Sequence, residues 1–283
     1  MRVEPVVEGL AFPECPRWHD GRLWFSDMAA GQVLSVEPGA PPVVELELPG
    51  GPGGLGWTPA GDMMVVAMGE RRLLRRDHAG ALVEFADLSA YEPVRCNDMV
   101  VDAAGRAYVG TFGYDMPAGA PPAPGSLLRI DPHGRVQVLA DDLVFPNGLA
   151  ITPDGGELLI AETFALRITA FALEANGAVG TRRTFADCPR GARPDGICLD
   201  ADGGVWAASP GDRAVLRFDR DGVVTERLPV PGGDAAYACM LGGADGATLF
   251  VCTAPGPDPE RARRERAGRI RAVEVGTAHA GRP

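Results

Sequence analysis

The chain contains no lysine: all of its basic side chains apart from four histidines are arginines. Schiff-base chemistry at a lysine amine is therefore excluded. Histidine is scarce, at His19, His78, His133 and His279, and none has a paired-ligand spacing of the HExxH kind. The six cysteines, Cys15, Cys96, Cys188, Cys198, Cys239 and Cys252, include no CxxC pair. Zinc-knuckle and thioredoxin-like readings fall with it, and six reduced thiols are expected. An excess of positive charge is also missing. The net charge is −11 and the isoelectric point about 4.9, which argues against nucleic acid and anionic membranes as partners. No apolar run approaches the ~18 residues of a membrane helix. The opening Met1-Arg2-Val3-Glu4-Pro5 has no apolar segment of the secretory type, and a cytoplasmic location is expected.

What the chain has in quantity is glycine (38) and proline (26), spread evenly among short apolar runs. Long stretches of 3.6-residue periodicity are missing, so the runs read as strands. They recur. Residues 53–61 read GGLGWTPAG, 97–105 NDMVVDAAG, 147–155 NGLAITPDG, 195–203 DGICLDADG and 238–246 ACMLGGADG, and 14–21, ECPRWHDG, is the same unit one residue shorter. A second strand follows each (LWFSDM, DMMVVAM, RAYVGTF, ELLIAET, GVWAASP, TLFVCTA), and usually a third. Six units starting near 14, 53, 97, 147, 195 and 238 have the period of about 40–50 residues and the roughly four strands that mark propeller blades. The expected fold is all-β, one six-bladed β-propeller over residues 1–283 with a central channel, closed by a strand near Val3–Val7 beside Arg269–Val275. Two segments break the period, the Pro/Gly-rich Tyr114–Gly125 and the charged Pro255–Gly268. The first reads as a lid or a plain loop and the second as a solvated surface excursion.

The innermost strand of a blade lines the channel, so equivalent residues converge there. The first position of the six units reads Glu14, Gly53, Asn97, Asn147, Asp195, Ala238. Four are oxygen donors, and two are carboxylates that would repel one another without a cation or a proton. An oxygen-only set suits a hard divalent cation, Ca²⁺, Mg²⁺ or Mn²⁺, with Zn²⁺ also possible; the alternative is a water-bridged polar plug. Arg95 and Arg17 lie close by in sequence. Arg95 could anchor a substrate oxygen, and Arg17 reads better as a structural ion pair. Glu162 ends a second strand near the channel mouth.

The motifs ECPRW, RCNDMVVDAAGRAYVGT, FPNGLAITPDG and RPDGICLDADGGVWAA, in this order and spacing, resemble the senescence marker protein (regucalcin), gluconolactonase and luciferin-regenerating enzyme family. The resemblance covers blades one and three to six and is weakest in blade two. It implies one divalent cation in the channel, Ca²⁺ first among Ca²⁺, Zn²⁺, Mg²⁺, Mn²⁺ and Fe²⁺, held by Glu14, Asn147 and Asp195. It also implies substrate contacts from Arg95 and Asn97, with Asp115 a further candidate in the blade-three loop, and Asp195 as general base. The chemistry implied is hydrolysis of a sugar lactone by a monomer or homodimer acting on a small molecule. The entrance, around Tyr114–Gly125, FALRIT and YACMLGG, looks more apolar than a sugar site, which leaves a less hydroxylated lactone or an ester open. Other readings of the same donors are aryl-ester or phosphotriester hydrolysis, as in the paraoxonases and diisopropyl-fluorophosphatase, a metal-assisted isomerase or lyase, and a ligand-binding propeller without catalysis.

Overall fold

The structure is a computed structural model. It describes residues 3–281 except Pro93 and Pro117. Met1, Arg2, Arg282 and Pro283, inside the expected domain, and Pro117, inside the expected lid or loop, lie outside the described residues. Six four-stranded antiparallel sheets form the six blades of a β-propeller. The inner strands are Pro13–His19, Pro52–Trp57, Cys96–Val101, Pro146–Ile151, Ile197–Leu199 and Ala235–Gly242.

Burial explains the composition of each layer. Second strands such as Met63–Ala67, Ala107–Thr111 and Val205–Ser209 are buried at every residue, because each sheet is covered on both faces by its neighbours. A strand in that position reads as an unbroken apolar run rather than an alternating one. Outer strands such as Val43–Glu47 and Val224–Pro229 carry exposed and charged residues instead. Between strands, the recurrent D-x-x-G sequence forms a turn in which the aspartate accepts main-chain N–H groups two and four residues on. Asp77, Asp102, Asp131, Asp200 and Asp219 all do so.

The ring closes as the repeat implied. Glu4–Leu10 pairs with Gly268–Glu274 as the outer strand of blade six, in register Glu4↔Ala272 to Leu10↔Gly268. After Val275 the chain crosses to blade five, where Asp200 and His279 form a bridge. The charged segment of blade six is not plain loop. Pro259–Glu265 is an α-helix, capped by the Asp258 carboxylate accepting from Arg261 N–H at 2.8 Å, with Pro259 in its first turn and Ala262 buried. The D-P-E sequence is a helix-start signal. Among the described residues no helix is long and apolar enough to cross a membrane. All six cysteines are free thiols.

Candidate active site at the channel mouth

Five of the six inner strands share one irregularity, the blade-five strand Ile197–Leu199 being the regular one. Their pairing register slips by one residue between Glu14 and Arg17, Pro52 and Leu55, Cys96 and Met99, Pro146 and Leu149, and Ala236 and Ala238. A bulge re-aims side chains that a regular pleat would send into the sheet. Here it recurs at the first position of the repeat in those five blades, Glu14, Asn97 and Asn147 among them.

Glu14, Asn97 and Asp195 are buried and Asn147 is half-buried. Asp98, which the sequence reading left without a role, joins them. It is buried, its Oδ1 accepts from Met99 N–H at 2.8 Å, and Arg17 Nη2 donates to it at 2.7 Å. Arg17 also donates to the Met99 carbonyl at 2.5 Å and the Pro16 carbonyl at 2.8 Å. Arg17 is thus the structural ion pair the sequence suggested. Below it, at the far end of the same inner strands, a cavity of about 350 Å³ is lined by Arg17, His19, Trp57, Val101 and Asp102 among others.

The electrostatics are those of an uncompensated anionic site. Burial pushes the Glu14 carboxyl up to about 8. The Cys15 N–H, donating to Glu14 at 2.9 Å, works against the rise, the Asp98 charge adds to it, and Arg17 opposes it. Asp195 is held well above the usual carboxylate range by burial and then by the charges of Glu14 and Asp98, with the Asn147 amide acting in the opposite direction. Asp195 Oδ1 is buried without a hydrogen-bond partner. An orphaned buried carboxylate oxygen is costly, and a divalent cation would satisfy it while removing the repulsion between Glu14 and Asp195. The donor set of Glu14, Asn147 and Asp195 fits such an ion. Among the described residues no three His, Cys, Asp or Glu side chains form a metal-binding cluster; the third donor here is an amide.

The amides are held in place. Asn97 Nδ2 donates to the Pro146 carbonyl at 3.1 Å. Asn147 Nδ2 donates to Thr163 Oγ1 at 3.2 Å, and that hydroxyl donates to the Pro194 carbonyl at 2.9 Å. The remaining expected residues lie further out. Arg95 is exposed at the mouth, not packed among the carboxylates. Asp115 is half-buried, and its carboxylate accepts from Ala118 N–H at 3.2 Å within its own loop. Glu162 is structural: it is fully buried and accepts from Thr169 Oγ1 (2.5 Å), Val144 N–H (2.8 Å), Arg167 Nε (2.9 Å) and Arg182 Nη2 (3.1 Å).

The sixth unit is corrected by one residue. Gly148 N–H donates to the Asp195 carbonyl, and Gly196 N–H donates in the same way to the Tyr237 carbonyl. Tyr237, not Ala238, therefore holds the first position of blade six. The inner strand there is eight residues long, so aligning the unit on its following turn set the register one residue late. Tyr237 is buried, and its ring meets Phe12 edge-on at 4.7 Å. Burial, and then the Asp195 and Glu14 charges, push its phenol upward.

The sequence model of the SMP-30/Gluconolactonase/LRE-like region matches residues 12–255. The chain is 32% identical over 256 residues to a 6-deoxy-6-sulfogluconolactonase of Pseudomonas putida, covering 88% of this chain and 84% of that one. It is 31% identical over 265 residues to the pentonolactonase XacC of Haloferax volcanii, covering 90% and 86%. Its fold superimposes on a calcium-binding protein, regucalcin, of Agrobacterium tumefaciens with a TM-score of 0.83 at 24% identity, covering 99% of this chain and 96% of that one.

Proposed function

The chain belongs to the SMP-30/gluconolactonase/LRE-like family, and from that premise we propose that it is a divalent-cation-dependent lactone hydrolase. The observation that carries the reading is the pair of buried, mutually repelling carboxylates, Glu14 and Asp195, with an orphaned Asp195 oxygen at the channel mouth. Relatives that act on sulfogluconolactone and pentonolactones support the lactone as the substrate class. Glu14, Asn147 and Asp195 would hold the cation, Ca²⁺ first. Such an ion would polarise a lactone carbonyl and make water more acidic.

The side chains do the rest. Hydrolysis adds water across the acyl–oxygen bond: hydroxide goes to the carbonyl carbon, and the ring oxygen leaves as an alcohol. Asp195, with one oxygen free of hydrogen bonds, takes the proton from the attacking water and can return it to the departing oxygen. Asn97, fixed by Pro146, Arg95 at the rim and Asp115 in the neighbouring loop orient the substrate, so that attack occurs within a positioned complex. The test is hydrolysis of a lactone panel by chelator-treated protein, with Ca²⁺, Mg²⁺, Mn²⁺, Zn²⁺ and Fe²⁺ returned singly. Turnover restored by one cation is the expected result. No turnover of any lactone or ester, in protein shown to bind the cation, would refute the proposal.

A further inference from the structure

The repeat builds a second tier of side chains outside the carboxylates. Two residues before Glu14, Gly53, Asn97, Asn147, Asp195 and Tyr237 stand Phe12, Gly51, Arg95, Phe145, Arg193 and Ala235. Their main chains show the equivalence. In blades one to four the residue just past the second strand, Met28, Met68, Phe112 or Thr163, donates its N–H to the carbonyl of Phe12, Gly51, Arg95 or Phe145 respectively. In blade five the Arg193 N–H is held by the Ser209 hydroxyl at 3.0 Å. Two arginines and two phenylalanines thus hold one repeat position next to the carboxylates, with blade four and its Phe145 between the arginines.

Arg95 and Arg193 are both exposed, and among the described residues neither forms an ion pair. That is uncommon in this chain, whose net charge is −11, though the exposed Arg190 also forms no ion pair among the described residues. Arginines elsewhere on the surface, such as Arg72, Arg135, Arg183 and Arg227, have acidic partners; Arg129, Arg220 and Arg263 donate to main-chain carbonyls. Arg213, in the blade-five loop on the same face, is also exposed, forms no ion pair among the described residues, and lies within electrostatic reach of Tyr237.

The Arg193 guanidinium lies 5.8 Å over the ring of Phe164. Phe164 packs on Phe145 at 4.9 Å, and Phe145 packs on Phe112 at 4.8 Å and Tyr114 at 6.0 Å. Phe145 itself sits at φ 57°, in a region a bulky side chain rarely adopts, and such strain concentrates at ligand sites. A guanidinium stacked on a ring keeps its planar fork of N–H donors free for an anion.

We infer that the lactone taken by this site, on the reading proposed above, carries an anionic group (carboxylate, sulfonate or phosphate) bound between Arg193 and Arg95, with an apolar face of the substrate against Phe164. The carboxylates below would repel an anion placed deeper, so the charge is read at the upper tier while the lactone carbonyl reaches the lower one.

Two matched pairs test this. D-Glucono-1,4-lactone and D-glucaro-1,4-lactone differ by a carboxylate on a sugar frame; 3,4-dihydrocoumarin and its 6-carboxylate differ likewise on an aryl frame. In at least one pair the carboxylate member should have the higher kcat/KM, by about ten-fold or more, and the preference should shrink with added salt. It should collapse toward unity in Arg193→Gln and recover in part in Arg193→Lys, which keeps the charge. Equal turnover of both members of both pairs, or a preference that survives Arg193→Gln, overturns the inference and leaves the lactonase reading standing. If no lactone is turned over, that reading fails, and calorimetric binding of the lactam analogue of the aryl carboxylate decides the anion site alone. Binding weakened about ten-fold by Arg193→Gln sustains it; no binding, or binding unchanged by the substitution, removes it.

Discussion

At the scale of single residues, the site keeps two carboxylates where neither is comfortable. Asp195 is buried, repelled by Glu14 and Asp98, and left with an unbonded oxygen. The metal-free protein should therefore gain stability when that charge is removed. Asp195→Asn is expected to raise the thermal midpoint of chelated protein at pH 8 by about 2–4 °C, the shift that corresponds to roughly 1 kcal/mol in a chain of this kind. The same substitution should lower turnover by at least about a hundred-fold, the scale of a lost general base, and weaken cation binding. A variant that is destabilised yet fully active would show that Asp195 is a structural residue. Glu162 is the opposite case. Burial pushes its carboxyl up, but the bonds from Thr169, the Val144 N–H and Arg167 outweigh this and leave its pKa below the ordinary 4.5. A folded-state pKa below the unfolded value gives stability that is present above about 4.5 and lost as pH falls through the folded value. Glu162→Gln should cost about 2 kcal/mol at pH 7, where charged hydrogen bonds are lost, and should flatten the acid side of the stability curve. Denaturant midpoints measured from pH 3 to 7 would check both; an unchanged acid limb would mean that other groups carry it.

At the scale of strands and turns, the sequence was most legible where one physical constraint repeats. The D-x-x-G turns and the unbroken apolar second strands follow from local geometry and two-sided burial, and both could be read directly. The bulge in the inner strands could not, because it is a matter of pairing between strands rather than of residue pattern. That is why Asp98, one residue past Asn97, was given no role, and why Tyr237 was passed over for Ala238. Arg95 was read as a substrate anchor, but Phe12, Phe145 and Arg193, which complete its tier, were missed for a related reason: those residues precede the apolar strand on which the units were aligned. The helix Pro259–Glu265 carried its own start signal but was masked by its charge. Turn geometry also makes a graded prediction. Gly155 and Gly222 both have φ in the left-handed region, 72° and 77°. A Cβ at Gly155 would meet nothing, while one at Gly222 would overlap the Phe185 carbonyl. Gly155→Ala should cost about 1 kcal/mol for the backbone alone, and Gly222→Ala about 3 kcal/mol once the collision is added. Equal losses in urea unfolding would show that the packing around Gly222 yields.

At the scale of the whole molecule, the ring converts six weakly informative units into one site. No blade holds more than a fragment of it: Glu14 comes from blade one, Asn97 and Asp98 from blade three, Asn147 from blade four, Asp195 from blade five, and Tyr237 from blade six. Their meeting depends on closure, because a propeller that opened would separate blades one and six and carry Glu14 away from Asp195. Closure rests on the pairing of Glu4–Leu10 with Gly268–Glu274, on the buried Val7 and Leu10, and on the Arg269–Glu8 ion pair at 3.0 Å. Burying two such apolar side chains stabilises by roughly 2 kcal/mol each, against a total stability of about 5–15 kcal/mol for a typical domain. Removing residues 1–10 should therefore cost a large share of the stability and expose Gly268–Glu274 as an unpaired edge, the kind of strand that recruits other chains. The truncated protein is expected to melt earlier, to run as higher oligomers in size-exclusion chromatography, and to lose high-affinity cation binding. A synthetic peptide of residues 3–12 added in trans should restore the elution position of the full-length protein and the proposed cation site together, since it would supply the missing strand. If the truncated chain eluted like the full-length protein and bound the cation with unchanged affinity, the site would be held by the inner strands alone and closure would serve stability without positioning Glu14.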